Sequence, residues 1–172
     1  YGKNNTIYGG EGNDSFEQYG SNGTYAANYV NNTYVFTSGD GNDTITMSSS
    51  NSSHSTQTLK FTDVEFSDMT FKGSNGDLII QYTDNDSVTL KSWVNYQSGN
   101  RINKIVDSTG TEYNLEDEAL TITYTDNADS VGNYYVSNST AYLAGGNDNI
   151  TLKAANNTIY GGEGADTFTV DN

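Results

Sequence analysis

Cysteine and proline are absent from this 172-residue chain, and histidine occurs once. Without cysteine the chain has no disulfide, no thiolate ligand for zinc and no thiol nucleophile. The histidine, His54, stands in a tract of serine and asparagine where we expect an exposed loop, and no Gly-x-Ser-x-Gly elbow is present. A glycosidase pair of carboxylates depends on spatial distance and stays open, but no motif marks one. We therefore predict that the chain is not an enzyme.

Basic residues are few, since 7 Lys and Arg stand against 22 Asp and Glu and leave a net charge of −15. A field of this sign repels nucleic acid and anionic membranes and attracts cations. There is no run of about 18 apolar residues, so the sequence predicts no membrane span. No signal peptide is visible, and a repeat runs through both ends of the chain, so we expect a piece of a longer protein.

Apolar residues are also scarce, at 33% of the chain. Low hydrophobicity combined with high net charge favours disorder. The alternative is a thin repeat fold whose turns are completed by metal ions. Fourteen tyrosines and regularly spaced β-branched residues favour the repeat fold. We expect disorder chiefly when no metal is bound.

What the chain does contain is a long internal duplication. Residues 4–16, NNTIYGGEGNDSF, return as residues 156–168, NNTIYGGEGADTF, with eleven of thirteen positions identical at a spacing of 152 residues. Both copies carry Gly-Gly-x-Gly-x-Asp followed by an apolar residue two positions later, which is an established calcium-binding nonapeptide pattern.

A nine-residue period extends from each copy of the duplication. It runs through GGEGADTFT, LKAANNTIY and LAGGNDNIT (161–169, 152–160 and 143–151), and weakly through 134–142. Near the start it runs through GGEGNDSFE, QYGSNGTYA and ANYVNNTYV (9–35), and after a two-residue break it resumes as SGDGNDTIT (38–46). The sixth position is usually Asp or Asn, and the eighth is Ile, Phe or Tyr.

The period has a direct physical interpretation. Its first six residues predict a tight turn, where glycine supplies positive φ and close backbone approach. Its last three predict a short strand whose eighth residue points inward. Two nonapeptides then complete one coil, so that turns two nonapeptides apart stack on the same edge of the coil and direct carbonyls and Asp carboxylates into the gap between them.

These repeats resemble the RTX, or haemolysin-type, calcium-binding family. The resemblance is specific in GGEGND, SGDGND and GGEGAD, fair in AGGND and degenerate in LKAANN and ANYVNN. It implies an all-β fold with parallel β-roll coils, Ca²⁺ as the bound ion, and export by type I secretion. The candidate metal-site residues are Gly9, Gly10, Gly12, Asp14, Gly39, Gly41, Asp43, Ala144, Gly145, Gly146, Asp148, Gly161, Gly162, Gly164 and Asp166.

The turns differ in how well they should bind the ion. Turns 143–148 and 161–166 are two nonapeptides apart, so we expect calcium between Asp148 and Asp166. The intervening turn has Asn157 at the sixth position, where we favour hydrogen bonds from Asn side chains in place of the ion. Counting in the same way stacks Asp14 on the poor turn ANYVNN and Asp43 on QYGSNG. This predicts that Asp14 and Asp43 bind calcium weakly, or bind it only when coils of a neighbouring unit or molecule stack on them.

The middle of the chain loses the nine-residue phase. We predict strands at 66–72, 77–83, 87–91, 101–107 and 119–125, with hairpin turns at 74–77 and 83–86, a helical turn at 92–96, and an apolar cluster of Trp93, Ile79, Leu90, Ile102 and Ile105. Residues 63–113 resemble the haemolysin-type calcium-binding-related domain that accompanies RTX blocks, through GDLII, DSVTLKSWV, RINKI and STGTEY. For Trp93 we favour a buried anchor over a ligand-binding role.

Together these patterns predict β-roll turns at 1–58, a central antiparallel β insert at 59–124 and β-roll turns at 125–172. The leading hypothesis for function is a calcium-dependent structural module of an exported or cell-surface protein, with calcium and neighbouring repeat units as partners. The alternative is a carbohydrate-binding module of a secreted polysaccharide-modifying enzyme. For that alternative, tyrosines would stack on a glycan or another cell-surface ligand: Tyr25, Tyr29, Tyr34, Tyr134 and Tyr135. Both hypotheses place the chain outside the cell.

Overall fold

The computed structural model describes residues 4–19, 31–48, 56–96 and 101–171. Within them lie sixteen strands and two single-turn 3-10 helices, Phe66–Asp68 and Trp93–Asn95. In chain order the strands are β1 (Thr6–Tyr8), β2 (Ser15–Tyr19), β3 (Thr33–Phe36), β4 (Asn42–Ser48), β5 (Thr58–Phe61), β6 (Thr70–Ser74), β7 (Asp77–Gln81), β8 (Ser87–Leu90), β9 (Lys104–Val106), β10 (Glu112–Asn114), β11 (Thr121–Thr123), β12 (Ser130–Tyr134), β13 (Thr140–Tyr142), β14 (Asn149–Leu152), β15 (Thr158–Tyr160) and β16 (Thr167–Val170). The predicted all-β fold is confirmed.

The C-terminal part is a parallel β-roll with two walls. Strands β11, β13 and β15 stack in one wall, with Thr121 paired to Thr140 and Thr140 to Thr158, so successive coils take 19 and 18 residues. Strands β12, β14 and β16 stack in the other wall. Two nonapeptides therefore complete one coil here, as the period predicts.

The N-terminal part is also a parallel roll, but its first coil is longer. Strands β1, β3, β5 and β9 form one parallel stack, while β2, β4 and β8 form another. Thr6 pairs with Thr33, so this coil takes 27 residues, or three nonapeptides instead of two. The extra nonapeptide changes which turns stack on each other.

The middle of the chain joins the two rolls through one sheet. Strands β6, β7 and β8 pair antiparallel, β8 also pairs in parallel with β4, and β6 pairs in parallel with β11. The result is an eight-stranded sheet in the order β15-β13-β11-β6-β7-β8-β4-β2. Its outermost strands belong to the last coil of one roll and the first coil of the other.

Apolar side chains at the eighth position of each repeat supply much of the core, because that position faces inward. Tyr34, Ile45 and Ile150 are buried, whereas Phe168 of the last coil is 48% exposed. In the middle, Trp93, Leu90, Ile102 and Ile105 are buried as predicted. The assignment of Ile79 to this cluster is wrong: Leu78 and Ile80 are the buried residues of β7, and because side chains alternate along a strand, Ile79 faces the other way.

Local turn chemistry in the middle agrees with the sequence. The predicted hairpin turns lie between β6 and β7 and between β7 and β8, and the predicted helical turn is the 3-10 helix at Trp93–Asn95. The strands are shorter than predicted, and the expected strand start at residue 66 is a 3-10 helix instead. The division at residues 58/59 and 124/125 stays a prediction. Strand pairing runs across it, since β5, β8 and β9 extend the N-terminal stacks.

Candidate metal sites

Each coil has two edges, and the turns on them differ in chemistry. We use "acidic turns" for residues 9–14, 38–43, 143–148 and 161–166, which have Asp at the sixth position. We use "amide turns" for those that lead into strands β1, β3, β5, β9, β13 and β15. The residue at their sixth position is Asn5, Asn32, Gln57, Asn103, Ser139 or Asn157.

In the N-terminal roll, turn 9–14 stacks directly on turn 38–43. The Asp14 N–H donates to Asp43 Oδ1 at 2.8 Å, and the Asn42 N–H donates back to Asn13 Oδ1 at 2.8 Å. The predicted partners of Asp14 and Asp43 are therefore wrong. The three-nonapeptide coil brings the two good acidic turns together and places Asn32, the last residue of ANYVNN, on the amide edge. Residues 20–30, which hold most of QYGSNG and of ANYVNN, lie outside the described part of the chain.

In the C-terminal roll, turn 143–148 stacks on turn 161–166, as the spacing predicts. The Asp148 N–H donates to Asp166 Oδ1 at 3.0 Å, and the Ala165 N–H donates to Asn147 Oδ1 at 2.8 Å. The two stacks thus share one pattern of hydrogen bonds between coils, which we call the frame. The sixth side chain accepts an N–H from the preceding coil, and the fifth side chain accepts an N–H from the following coil.

The glycines of these turns are required by close approach between coils. A Cβ on Gly162 would lie 1.9 Å from the Ala144 carbonyl oxygen, and one on Gly164 would lie 1.6 Å from the Gly146 oxygen. Both glycines also have positive φ, at 91° and 127°. A side chain at either position would therefore push the coils apart, and backbone oxygens line the gap.

The frame leaves the Oδ2 atoms of Asp14 and Asp148 buried and without a partner. Asp148 is 1% exposed, and its Oδ2 is buried with no hydrogen bond; Asp14 Oδ2 is buried and unpartnered in the same way. The four ion pairs among the described residues involve none of the acidic-turn aspartates. A buried anionic oxygen without a donor or cation is strongly unfavourable, so these atoms mark places where a cation fits.

The electrostatics of the N-terminal stack agree with this conclusion. Burial raises the pKa of Asp43 above its usual value, and the nearby carboxylates of Asp14, Asp40 and Asp86 raise it further. The hydrogen bond from the Asp14 N–H lowers this pKa but does not offset the other effects. A divalent cation in the gap would reverse the repulsion between these groups.

The amide turns use the same frame without leaving an orphan oxygen. The Asn5 N–H donates to Asn32 Oδ1 at 3.1 Å, and the Ser139 N–H donates to Asn157 Oδ1 at 3.0 Å. The second arm of Asn157 is an N–H₂ group, which donates to the Ala154 carbonyl oxygen at 3.2 Å. Hydrogen bonds from Asn therefore hold this edge, as the sequence predicts.

Each acidic stack has one further turn on its inner side, the side toward the middle of the chain. The role of these two turns was missed in the sequence analysis. Residues 82–88, YTDNDSV, return as residues 124–131, YTDNADSV. The spacing is 42 residues for YTDN and 43 for DSV, because Ala128 is inserted, and the repeat is visible in the sequence. Asp86 accepts the N–H groups of Gly39 and Gly41, both at 2.9 Å. Asp129 accepts the Asn75 N–H at 2.7 Å and the Thr125 hydroxyl at 2.8 Å.

These inner aspartates are satisfied by donors, unlike Asp14 and Asp148. The Thr83 hydroxyl donates to Asp86 at 2.5 Å, and this hydrogen bond is the main reason that the pKa of Asp86 lies below its usual value. We name turns 82–88 and 124–131 the inner caps. Each inner cap forms the last turn of its stack, and its Asp carboxylate is satisfied by N–H and hydroxyl donors instead of an ion.

Other candidate residues fall outside these sites. The Trp93 ring is buried, its N–H donates to the Ile102 carbonyl oxygen at 2.7 Å, and Arg101 lies 4.3 Å above it, which is the arrangement of a packed anchor. Tyr34 and Tyr134 are buried, which removes them as stacking faces for a glycan. The glycan candidates Tyr25 and Tyr29 lie outside the described residues, and so does His54, where an exposed loop is predicted.

The described residues hold no cluster of three or more His, Cys, Asp or Glu side chains that could bind a metal. A site in the acidic stacks therefore combines two carboxylates with backbone oxygens. Among the residues that the structure describes, no helix has the length and apolarity needed to cross a lipid bilayer.

Comparison with known families finds a match to parts of the chain. Residues 2–17 and 142–172 match the family model of the RTX calcium-binding nonapeptide repeat, in four copies. These segments contain acidic turns 9–14, 143–148 and 161–166, so the resemblance inferred from the sequence is confirmed and calcium is implied as the ligand. No curated protein matches the chain. Turn 38–43 and the middle of the chain lie outside the match, and the resemblance of residues 63–113 to the related domain stays a prediction.

Proposed function

We propose that the chain is a calcium-dependent structural module of an exported or cell-surface protein, and that it folds when calcium fills its acidic stacks. The observation that carries this proposal is the buried, unpartnered Oδ2 of Asp148 and of Asp14. At the equivalent place in an amide turn, Asn157 presents an N–H₂ group that donates to a carbonyl oxygen. A carboxylate cannot donate, so the acidic turns need a cation where the amide turns need none.

The donor set suits calcium. This ion takes about six to eight oxygen ligands, drawn from carboxylates and backbone carbonyls. In the C-terminal stack the ligands would come from Asp148, Asp166 and the carbonyl oxygens of turns 143–148 and 161–166. In the N-terminal stack they would come from Asp14, Asp43 and the carbonyl oxygens of turns 9–14 and 38–43. We therefore propose one calcium ion in each stack.

Charge explains why binding and folding would be coupled. The chain has a net charge of −15, and folding brings pairs of aspartates together in each stack. Without a cation, repulsion and desolvation oppose this step, and binding free energy becomes folding free energy. Extracellular calcium modules bind with dissociation constants of about 10⁻⁴ to 10⁻³ M. Such a module would stay unfolded where calcium is scarce and fold after export.

The test is a calcium titration of the EDTA-treated chain, followed by far-UV circular dichroism and calorimetry together. We expect a transition to β-structure at submillimolar to millimolar calcium, a rise in Tm, and little response to magnesium, which binds poorly to sites without near-octahedral geometry. A chain whose spectrum and Tm are the same in EDTA and in calcium would refute the proposal. Native mass spectrometry at saturating calcium should detect two ions per chain.

A further inference from the structure

The inner cap of the N-terminal stack fixes the backbone of the acidic turn beside it. Asp86 Oδ2 accepts the Gly39 N–H and Asp86 Oδ1 accepts the Gly41 N–H, both at 2.9 Å. The Ser87 N–H donates to the Gly41 carbonyl oxygen at 3.0 Å. Gly39 and Gly41 are the two residues with positive φ in turn 38–43. The position of this cap therefore sets the shape of one half of the N-terminal stack.

The inner cap of the C-terminal stack fixes a side chain instead. The Asp129 N–H donates to Asp148 Oδ1 at 2.8 Å, and the Asn149 N–H donates to the Asp129 carbonyl oxygen at 3.0 Å. A Cβ on Gly146 would lie 2.5 Å from the Ala128 nitrogen, so the acidic turn and the cap are in close contact. The other carboxylate oxygen of Asp148 is the buried atom without a partner. The position of this cap therefore sets where that oxygen lies.

One hairpin strand runs from one cap to the other. Strand β7 begins in the turn at residues 74–77. There the Asn75 N–H donates to Asp129 Oδ1 at 2.7 Å, and Asn75 Oδ1 accepts the Ser130 N–H at 2.9 Å. The strand ends at Gln81, and the N-terminal cap is the hairpin turn that follows it. One end of β7 therefore bonds to the C-terminal cap, and the other end continues into the N-terminal cap.

Strand β7 is held firmly between its neighbours. It pairs antiparallel with β6 on one side and with β8 on the other, and its Leu78 and Ile80 are both 0% exposed. The neighbouring strands continue the connection: β8 pairs with β4, which begins in turn 38–43, and β6 pairs with β11, which precedes the C-terminal cap. Because close-packed interiors deform little, neither cap can shift far without disturbing the sheet that carries the other.

We propose that the two acidic stacks are coupled, so that calcium in one stack raises the calcium affinity of the other. The coupling acts through the inner caps and strand β7. An ion in one stack orders its cap, and the second cap is then ordered with a smaller loss of conformational entropy. The effect is reciprocal by thermodynamic linkage, and such couplings typically change affinity by about 5–150-fold. The inference rests on the proposed function, because it takes calcium as the ion in both stacks.

Two pairs of substitutions at the same positions test the coupling. Asp148→Asn/Asp166→Asn and Asp148→Ala/Asp166→Ala remove the same two charges, and both remove the carboxylates of the C-terminal site. The asparagine pair keeps the acceptors for the N–H groups of residues 129 and 148, so the stack stays closed without an ion. The alanine pair removes these acceptors, so the stack and its cap lose order.

Isothermal titration calorimetry then measures calcium binding to the single site that remains, in the N-terminal stack. We expect the asparagine pair to bind at least about fivefold more tightly than the alanine pair. Asn75→Gly, added to both pairs, should reduce this difference, because glycine adopts positive φ but lacks the side-chain oxygen that accepts the Ser130 N–H. The matched control is Asn138→Gly, which replaces another asparagine with positive φ and a hydrogen-bonded side-chain oxygen. It should leave the difference unchanged.

The two proposals fail in different ways. An unmodified chain that binds no calcium refutes the proposed function. Equal affinities in the asparagine and alanine pairs refute the coupling alone, and so does a loss of all calcium binding in both pairs. A difference that Asn75→Gly reduces no more than Asn138→Gly does refutes the route through β7.

Circular dichroism at saturating calcium checks that each variant folds. If the alanine pair stays unfolded, Asp148→Asn/Asp166→Ala replaces it, because this variant keeps the acceptor for the Asp129 N–H and loses only the acceptor for the N–H of residue 148. It should again bind calcium more weakly than the asparagine pair, and equal affinity would refute the coupling.

Discussion

Acidic and amide turns sit on opposite edges of the same coils and share one hydrogen-bond frame. In both, the sixth side chain accepts an N–H from the preceding coil, at 3.0 Å for Asp166 and at 3.0 Å for Asn157. The difference lies in the other atom of the side chain. The amide of Asn157 supplies a donor that bonds a carbonyl oxygen, whereas the carboxylate of Asp148 supplies a second acceptor that is buried without a donor. The edge with the amide turns can therefore satisfy its polar groups by hydrogen bonds within the protein, whereas the edge with the acidic turns requires a cation.

The backbones of the two edges differ as well. Acidic turns place positive φ at the second and fourth positions, as at Gly39 and Gly41, with 97° at each. Three of the amide turns place it at the fifth position instead, where Asn4, Asn138 and Asn156 have φ of 55°, 56° and 62°. Asparagine tolerates this conformation better than most residues. Each acidic turn thus has two residues with positive φ, and these amide turns have one.

The largest effect should follow from turning an acidic stack into an amide stack. Asp148→Asn/Asp166→Asn keeps both frame acceptors and replaces the surplus oxygens with donors. We expect the free energy of unfolding in EDTA to rise by about 1–3 kcal/mol. The stabilisation by calcium should fall by about 2.7 kcal/mol when calcium is 100 times the dissociation constant, because one of two sites is lost. Chemical denaturation with and without calcium measures both changes.

The matched control is Asp171→Asn, which removes one negative charge from the last described residues without touching a turn. Asp171 is exposed and pairs with Lys153. It should leave the response to calcium unchanged. A double variant that keeps the full calcium response would show that the ion binds elsewhere.

The sequence predicts part of this comparison well. The spacing of 18 residues between Asp148 and Asp166, together with the Asn at position 157, correctly places an acidic stack beside an amide turn. The N-terminal stack could not be predicted in the same way. Residues 18–26 keep the nonapeptide pattern, so nothing local shows that the first coil takes three nonapeptides and brings Asp14 to Asp43.

The inner caps show a second limit on what can be predicted from the sequence. The repeat of YTDN at residues 82 and 124 is visible in the sequence, and its Thr and Asp residues are typical of a side-chain-stabilised turn. That Asp86 would accept the N–H groups of Gly39 and Gly41 depends on the parallel pairing of β4 and β8, which brings together residues 45 and 47 positions apart. Such long-range placement leaves no local signal.

A smaller effect should follow from the reverse exchange, Asn157→Asp. The substitution removes the donor to the Ala154 oxygen and places a carboxylate oxygen near it. We expect a loss of about 1–3 kcal/mol in the free energy of unfolding. Calcium should not restore it, because turn 152–157 has no glycine to bring backbone oxygens into the gap. Urea denaturation tests this, with Asn133→Asp, at an exposed residue, as the control for charge. Full rescue by calcium would contradict the comparison.

Backbone strain at an acidic turn should give a smaller change still. Ala144 has φ of 67° at a position where the other acidic turns have glycine. The left-handed conformation destabilises the folded chain by about 1–2 kcal/mol when the residue is alanine. Glycine removes this strain, but it raises the conformational entropy of the unfolded chain, which lowers the free energy of unfolding by about 0.4–1 kcal/mol. Ala144→Gly should therefore stabilise the chain by about 0.5–1 kcal/mol. Ala154→Gly, at an amide-turn residue without positive φ, should destabilise it, and thermal unfolding distinguishes the two.

The smallest effect concerns a carboxylate that has all the donors it needs. Asp107 accepts the Thr109 hydroxyl at 2.6 Å and the Thr111 N–H at 3.0 Å, and the hydroxyl chiefly holds its pKa below the usual value. Because the folded pKa lies below the unfolded one, the stabilisation is present above about pH 4 and is lost as the pH falls further. Asp107→Asn should destabilise the chain slightly at pH 7, and this difference should shrink as the pH falls below about 4.

Calcium distinguishes Asp107 from Asp148, although both are buried carboxylates near stacked coils. Asp107→Asn should leave the calcium-induced rise in Tm unchanged at pH 7, because its oxygens already accept N–H and hydroxyl groups. Asp68→Asn, at an exposed carboxylate, controls for the loss of one charge. A reduced calcium response in Asp107→Asn, but not in Asp68→Asn, would mean that burial of a carboxylate is enough to recruit the ion. An unchanged response would mean that missing hydrogen-bond donors decide where calcium binds.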